Sequence, residues 1–243
     1  MRLKSTFVGS VPKDELDPTQ NDDACLRDDE RQRWALSDGA SESYNSSLWS
    51  RILTDQWIGN GLAFSASRLR MAIERYEAEC GHADLSWSKQ AAYERGSYAT
   101  FLGLSVRDEE RLRIVAVGDT IAVLMDGPRK VRSFPYRHAE DFNQRPMLMS
   151  TKPTHNEQFL TRSAARKTRA SWQLSQYCDP RVLCMTDALG KWFLSNWATE
   201  RSAVYALLDI DTADAFTAFV LQARASGAMR RDDTTLLVLD VEG

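Results

Sequence analysis

One stretch of sequence organises the rest of the chain, residues 33–41, which read Arg33-Trp34-Ala35-Leu36-Ser37-Asp38-Gly39-Ala40-Ser41. The apolar run 34–36 is typical of a buried β-strand, and Gly39 permits a backbone conformation that other residues avoid. The stretch therefore predicts a strand that carries an aspartate to its end and then turns. An Asp-Gly pair alone is an ordinary turn, so its meaning depends on whether the pattern recurs.

The pattern of an apolar strand with an aspartate at its tip recurs along the chain. Asp119 and Asp187 each follow an apolar run, and Asp232 precedes one. Two adjacent carboxylates, Asp22 and Asp23, precede a further short apolar segment. Because antiparallel strands place the end of one strand beside the start of its neighbour, these aspartates can meet at one edge of a sheet.

Carboxylates brought together in this way repel one another unless cations compensate them. Few basic residues lie beside these positions in sequence, although Arg230 and Arg231 directly precede Asp232. Sites made only of oxygen ligands suit Mg²⁺ or Mn²⁺, and two such ions about 4 Å apart can activate water for attack on phosphorus. The alternative interpretation is that each aspartate merely caps a turn.

Composition narrows the class of protein. The chain has 243 residues and a formal net charge of -3, which gives no indication of a nucleic-acid partner. Its four cysteines are scattered without a metal-binding or disulfide spacing, and only three histidines are present. No apolar run predicts a signal peptide or a membrane span, so we expect a cytoplasmic protein with one domain over residues 1–243.

The hydrophobic pattern indicates an α+β fold. It predicts a strand over 3–9, helices over about 44–59 and 62–80, and closely spaced strands between 97 and 134. For residues 135–180 the hydrophobic pattern fades, and we expect loops mixed with short helices. A buried strand over 181–186, a helix after it, a helix over 211–225 and a strand over 234–241 complete the chain. Close spacing of the central strands favours antiparallel pairing.

A series of short motifs follows this order along the chain: Asn21-Asp22-Asp23-Ala24, Ser37-Asp38-Gly39, Gly96-Ser97-Tyr98-Ala99, Gly118-Asp119-Thr120, Thr186-Asp187 and Asp232-Asp233-Thr234-Thr235. In this order and setting they resemble the motifs of the PP2C-type (PPM) metal-dependent Ser/Thr protein phosphatases, over nearly the whole chain. The resemblance implies an α-β-β-α sandwich, two antiparallel sheets flanked by helices, with metal ions at one edge.

The resemblance also implies roles for individual residues. The implied metal ligands are the carboxylates of Asp22, Asp38, Asp119, Asp187 and Asp232 and the carbonyl of Gly39. Asp38 would bridge two Mn²⁺ or Mg²⁺ ions, and Asp119 with Asp187 could hold a third. Asp23 would orient water, and a water held between the metal ions would attack a phosphoserine or phosphothreonine.

The sequence departs from the family pattern at three places. The arginine that often grips phosphate, four residues before the first acidic residue, is replaced by Pro18. Ala40 and Ser41 follow Asp38-Gly39 where many members have more glycine or a histidine, so leaving-group protonation falls to water. The late Asp-Gly motif is Asp187-Ala188, a variant that resembles a divergent bacterial branch.

The most basic stretch of the chain runs from Thr161 to Arg169. Arg162, Arg166 and Arg169 recur at helical spacing, so a short helix would place them on one face. Long connections often carry substrate recognition, and this face could supply charge to an incoming phosphoprotein. The alternative is an ordinary solvated surface.

These observations predict a metal-dependent protein Ser/Thr phosphatase that acts on phosphoproteins made by a Ser/Thr kinase, with neither nucleic acid nor membrane as a partner. Two alternatives stay open. One is a catalytically weak pseudophosphatase that binds phosphoproteins as a regulatory module, which Pro18 favours. The other is a metal-dependent hydrolase of small phosphate esters.

Overall fold

A computed structural model describes residues 2–17, 19–60, 65–81, 87–108 and 111–242. Pro18, which stands where the phosphate-gripping arginine was expected, lies outside the described residues. So does the start of the second predicted helix.

The described residues form twelve β-strands, which alternate along the chain with groups of helices. In chain order the strands are β1 (Arg2–Val11), β2 (Asp23–Asp28), β3 (Arg33–Asp38), β4 (Tyr98–Ala99), β5 (Phe101–Asp108), β6 (Arg111–Val117), β7 (Ile121–Asp126), β8 (Arg129–Phe134), β9 (Met149–Ser150), β10 (Arg169–Gln173), β11 (Pro180–Met185) and β12 (Thr234–Glu242).

Eight α-helices occur in the same ranges. They are α1 (Ser46–Asn60), α2 (Ala66–Glu79), α3 (Trp87–Arg95), α4 (Glu157–Leu160), α5 (Arg162–Lys167), α6 (Asp187–Thr199), α7 (Arg201–Leu208) and α8 (Ala213–Ala225). Short 3₁₀ turns cover Ala139–Asn143, Pro153–Asn156 and Leu174–Gln176. None of the described helices has the length and apolar character needed to span a membrane.

The strands pair into two five-stranded sheets and one small ribbon. The first sheet has the order β1-β12-β11-β7-β8, the second β10-β6-β5-β3-β2, and the ribbon pairs β4 with β9. Every strand pairing within these sheets is antiparallel. Because β6 leads directly into β7 in the other sheet, β8 and β10 end up as edge strands on the same side of the sandwich.

Side-chain alternation along the strands builds the layers. On β7, Ile121, Val123 and Met125 pack with the α6–α8 layer, whereas Ala122 and Leu124 face the second sheet. All five are fully buried, since both faces of a central strand are covered. A third apolar cluster joins the second sheet to α1 and α2. The result is an α-β-β-α sandwich, which confirms the predicted α+β fold class.

The structure differs from the sequence predictions mainly between residues 135 and 210. β10 was not predicted because its sequence, Arg-Ala-Ser-Trp-Gln, is polar and only Trp172 is buried, as is typical of an edge strand. The hydrophobic pattern also did not predict α7 as a helix distinct from α6 and α8. The prediction of one domain over residues 1–243 stays a prediction.

Candidate active site

Five aspartates lie at one edge of the two sheets. Asp38 ends β3 and is directly paired with Asp23, which begins β2. Asp119 lies in the connection from β6 to β7, and Asp187 begins α6 directly after β11. Asp232 lies two residues before β12. The antiparallel order brings exits and entrances of strands to the same edge, as the sequence pattern predicted.

The five carboxylates act on one another electrostatically. Burial raises the pKa of Asp38 well above its ordinary value, and the charges of Asp23, Asp187, Asp119 and Asp232 raise it further. A carboxylate that feels four like charges needs a compensating cation to stay ionised. These side chains therefore lie close enough to act on one another as one cluster.

Other members of the cluster are shifted for the same reasons. Burial, followed by the charge of Asp187, raises the pKa of Asp119 to about 7. Burial also raises the pKa of Asp23 and of Asp187, although Arg230 opposes the rise at Asp187. Groups with displaced pKa values in one place are typical of functional sites.

Hydroxyl groups hold two of the carboxylates in position. Thr235 Oγ1 donates to Asp23 Oδ2 at 2.7 Å, and Ser46 Oγ donates to Asp22 Oδ1 at 2.9 Å. The remaining oxygen of Asp23, Oδ1, is buried and has no hydrogen-bond partner among the described residues, and the same holds for Oδ1 of Asp187. Buried carboxylate oxygens without partners are unusual and indicate a missing charge or ligand.

Gly39 is needed because the backbone passes very close to its neighbours. A Cβ at this position would lie 2.9 Å from the carbonyl oxygen of Asp22 and equally close to Ser46. The amide of Gly39 donates to the same Asp22 carbonyl at 3.1 Å. The glycine therefore lets the loop after Asp38 lie against the start of α1 and the acidic pair.

Arg230 binds the cluster directly. Its Nη2 donates to Asp187 Oδ2 and, at 2.6 Å, to Asp232 Oδ2. The arginine side chain is 60% exposed, so it reaches in from solvent. Arg230 flanks Asp232 in sequence, but the sequence pattern did not predict that it joins two proposed metal ligands.

Among the described residues, no three Asp, Glu, His or Cys side chains are grouped as a ready-made metal site. The predicted site for two or three ions is thus not preassembled in this arrangement, in which Arg230 supplies the positive charge. The donor set nevertheless fits a hard divalent cation, because it consists of carboxylates, two of them with an unpaired buried oxygen.

Asp233 is a site residue to which the sequence pattern gave no role of its own. Its side chain is buried, and it accepts hydrogen bonds from the backbone amides of Lys13 at 2.7 Å and Asp22 at 2.8 Å. It therefore ties the N-terminal loop to the cluster. The second aspartate of an Asp-Asp pair before a strand is the signal that could have suggested such a role.

The prediction that Arg162, Arg166 and Arg169 lie on one face of a short helix is wrong. Helix α5 ends at Lys167, and Arg169 is the first residue of β10, so the three arginines do not share a helical face. Arg166 is exposed, and the side chain of Arg162 is outside what the structure describes. Arg169 instead lines a separate cleft between the two sheets.

The family model for protein phosphatase 2C matches residues 16–229, which include four of the five clustered aspartates, all except Asp232. The chain belongs to the protein phosphatase 2C family. No curated protein sequence matches the chain. Membership confirms the resemblance drawn from the motifs.

Solved structures of similar fold include several phosphatases. PppA, a key regulatory component of the T6SS in Pseudomonas aeruginosa, is 17% identical, with 99% of each chain covered and a TM-score of 0.60. The serine/threonine phosphatase Stp1 of Staphylococcus aureus is 16% identical, with 100% of this chain and 96% of that chain covered and a TM-score of 0.63.

The catalytic domain of the serine/threonine protein phosphatase PstP, solved with two manganese ions, is 15% identical, with 100% and 99% covered and a TM-score of 0.54. At these identities the likeness shows a shared protein phosphatase 2C fold and nothing more specific.

Proposed function

We propose that this protein phosphatase 2C member hydrolyses phosphoserine and phosphothreonine in proteins with the help of Mn²⁺ or Mg²⁺. The observation that carries the proposal is the cluster of five aspartates, in which burial and the charges of the other four raise the pKa of Asp38. Such a cluster is unfavourable by itself and favourable around a divalent cation. The substrates would be products of a Ser/Thr kinase.

Different residues would hold the metal ions and orient the water. Asp38, Asp187 and Asp232 would hold one ion, Asp22 and the Gly39 carbonyl a second, and Asp119 with Asp187 a third. When bound, such ions supply positive charge for the phosphoryl group and lower the pKa of water. Asp23, held by Thr235, would use its unpaired Oδ1 to accept a hydrogen bond from a water molecule and so orient it.

No side chain in the loop after Asp38 is a strong proton donor, because Ala40 and Ser41 follow Gly39. Solvent would therefore protonate the departing serine or threonine. The loop itself is held by Lys13, whose Nζ donates to Ser41 Oγ at 2.7 Å.

The proposal predicts that phosphate release from a phosphothreonine peptide requires Mn²⁺ and stops in EDTA. Asp38→Asn should lower the rate at least about a thousandfold, since it removes charge where two ions would share a ligand. The measurement is phosphate release, with far-UV circular dichroism as the check of folding. Asp211→Asn, which changes an exposed aspartate, is the matched control and should keep full activity. Equal rates in EDTA and in Mn²⁺ would refute the metal mechanism.

A catalytically weak phosphoprotein-binding module is the second candidate, and Arg230 favours it, because this arginine already neutralises two proposed ligands. Tight binding of the phosphopeptide without turnover in Mn²⁺ would support this candidate. Faster turnover of nitrophenyl phosphate than of phosphopeptides would instead support a hydrolase of small esters.

A further inference from the structure

A cleft of about 630 Å³ lies on the open side of the sandwich, between edge strands β8 and β10. Its lining includes five basic side chains and no aspartate or glutamate. They are Lys130 and Arg132 on β8, Arg137 and His138 after it, and Arg169 on β10. Positive charge from two different sheets thus converges on one concave surface.

In the part of the chain that the structure describes, these basic side chains form no direct ion pairs with a carboxylate. Asp141 nevertheless lies beside Arg137 and partly compensates its charge. Arg132 donates to the hydroxyl of Tyr177 at 2.8 Å, which positions it without neutralising it. The nearby carboxylate of Asp141 accepts from the backbone amides of Arg137 and His138 at 2.9 and 3.0 Å.

Arg132 and Arg169 are both exposed, so their guanidinium groups are accessible from the cleft. Ser133 pairs with Val123 and shares the helix-facing side of the sheet with it, so its hydroxyl does not lie beside Arg132.

We infer that this cleft binds a phosphate group carried by a phosphorylated protein segment, at a site separate from the aspartate cluster. Arginine side chains bind phosphate oxygens through two parallel N–H groups, and arginine clusters are a recurring mode of phosphopeptide recognition. An open cleft between two edge strands also suits an extended chain better than a compact molecule. The ligand class rests on the proposed function.

The cleft is connected to the active-site edge through aromatic packing. Tyr136, directly before Arg137, contacts Phe142 with ring centroids 4.9 Å apart. Phe142 in turn lines the cavity that contains Asp119 and Asp187. The cleft and the active-site cavity are therefore neighbours through the Tyr136–Phe142 contact, although no described residue lines both.

Binding of a fluorescent phosphothreonine peptide, measured by anisotropy in EDTA, tests the inference. Without divalent ions the aspartate cluster repels phosphate, so binding reports on the cleft. Replacing both Arg132 and Arg169 by glutamine should weaken binding at least tenfold. The control, Arg51→Gln with Arg201→Gln, removes the same charge from exposed positions on α1 and α7 and should bind like the original protein.

Urea unfolding of the cleft variant and of its charge control shows whether a loss of binding reflects a loss of folding. Equal unfolding midpoints are expected, because all four arginines are exposed. Equal affinity of the cleft variant and its charge control would overturn the inference. Binding of inorganic pyrophosphate but not of the phosphopeptide would overturn its assignment to a protein ligand. Neither result depends on hydrolysis, so the proposed function would be judged separately.

Discussion

At the scale of single residues, Arg230 has the largest influence on the proposed site. It places one guanidinium between Asp187 and Asp232, the two carboxylates proposed to complete one metal site. A divalent ion must compete with the arginine for the same oxygens. Because the side chain is 60% exposed, it can move into solvent at modest cost.

Arg230→Gln should therefore increase the affinity for Mn²⁺ about fivefold to tenfold, since each partly exposed ion pair is worth about 1 kcal/mol or less. The same variant should be less stable in EDTA, because the carboxylates lose their only described cationic partner at these two positions. Calorimetric titration with Mn²⁺ at fixed ionic strength measures the first effect, and urea unfolding measures the second.

Arg231→Gln is the control for this experiment. It removes an equal charge from the adjacent position, but Arg231 Nε donates to the carbonyl of Lys13 at 2.8 Å, and its Nη2 lies 3.8 Å from Asp14 Oδ1, outside the cluster. Equal Mn²⁺ affinities in the two variants would show that competition by Arg230 is unimportant.

At the scale of elements, the attachment of α1 to the second sheet depends on the absence of a side chain. The indole of Trp57 on α1 lies over Gly103 of β5, and its Nε1 donates to the carbonyl of Leu104 at 3.0 Å. A Cβ at Gly103 would lie 2.6 Å from the indole ring and 2.8 Å from Phe101. Both rings are buried, so neither can move away easily.

Gly103→Ala should lower the free energy of unfolding by about 1–3 kcal/mol, the usual cost of overpacking a core. Gly59→Ala offers a matched change, because Gly59 is exposed near the end of α1 and nothing lies within 4 Å of an added Cβ. Alanine there should leave stability unchanged or raise it, since it favours the helix by up to about 1 kcal/mol. Urea unfolding of the two variants in EDTA makes the comparison, and equal stabilities would contradict the packing explanation.

At the scale of the whole molecule, the aspartate cluster links stability to pH. In the folded chain the pKa of Asp119 is raised to about 7, and those of Asp23, Asp38 and Asp187 are also raised by burial. The unfolded chain, with ordinary carboxyl groups, binds fewer protons than the folded chain between about pH 5 and 7. Stability must then fall as pH rises through this range.

In EDTA we accordingly expect the free energy of unfolding to decrease by at least about 1 kcal/mol from pH 5 to pH 7. Carboxyl groups whose pKa is lowered, such as Asp126 and Asp141, are ionised in both states over this range and do not oppose the trend. Asp119→Asn should flatten the dependence, and Mn²⁺ should reverse it by favouring the ionised cluster. Stability that rises with pH in EDTA would contradict the raised pKa values.

The sequence by itself determined the fold class and the meeting of the aspartates. Apolar runs long enough for buried strands, ended by Asp38, Asp119 and Asp187, specify an antiparallel arrangement with its acidic residues at one edge. The prediction succeeds because the end of a strand that a residue occupies is a local property of the sequence. In antiparallel sheets, strand exits and entrances then meet at the same edge.

Only the tertiary structure decided which charges face the aspartates and which do not. Arg230 and Arg231 are neighbours in sequence, yet only the first binds the cluster. Arg169 does not lie on the predicted helical face, because its segment forms edge strand β10 and pairs with β6. Long basic side chains can reach in several directions, so their partners depend on packing between distant elements. The aspartates at the strand ends had no such freedom.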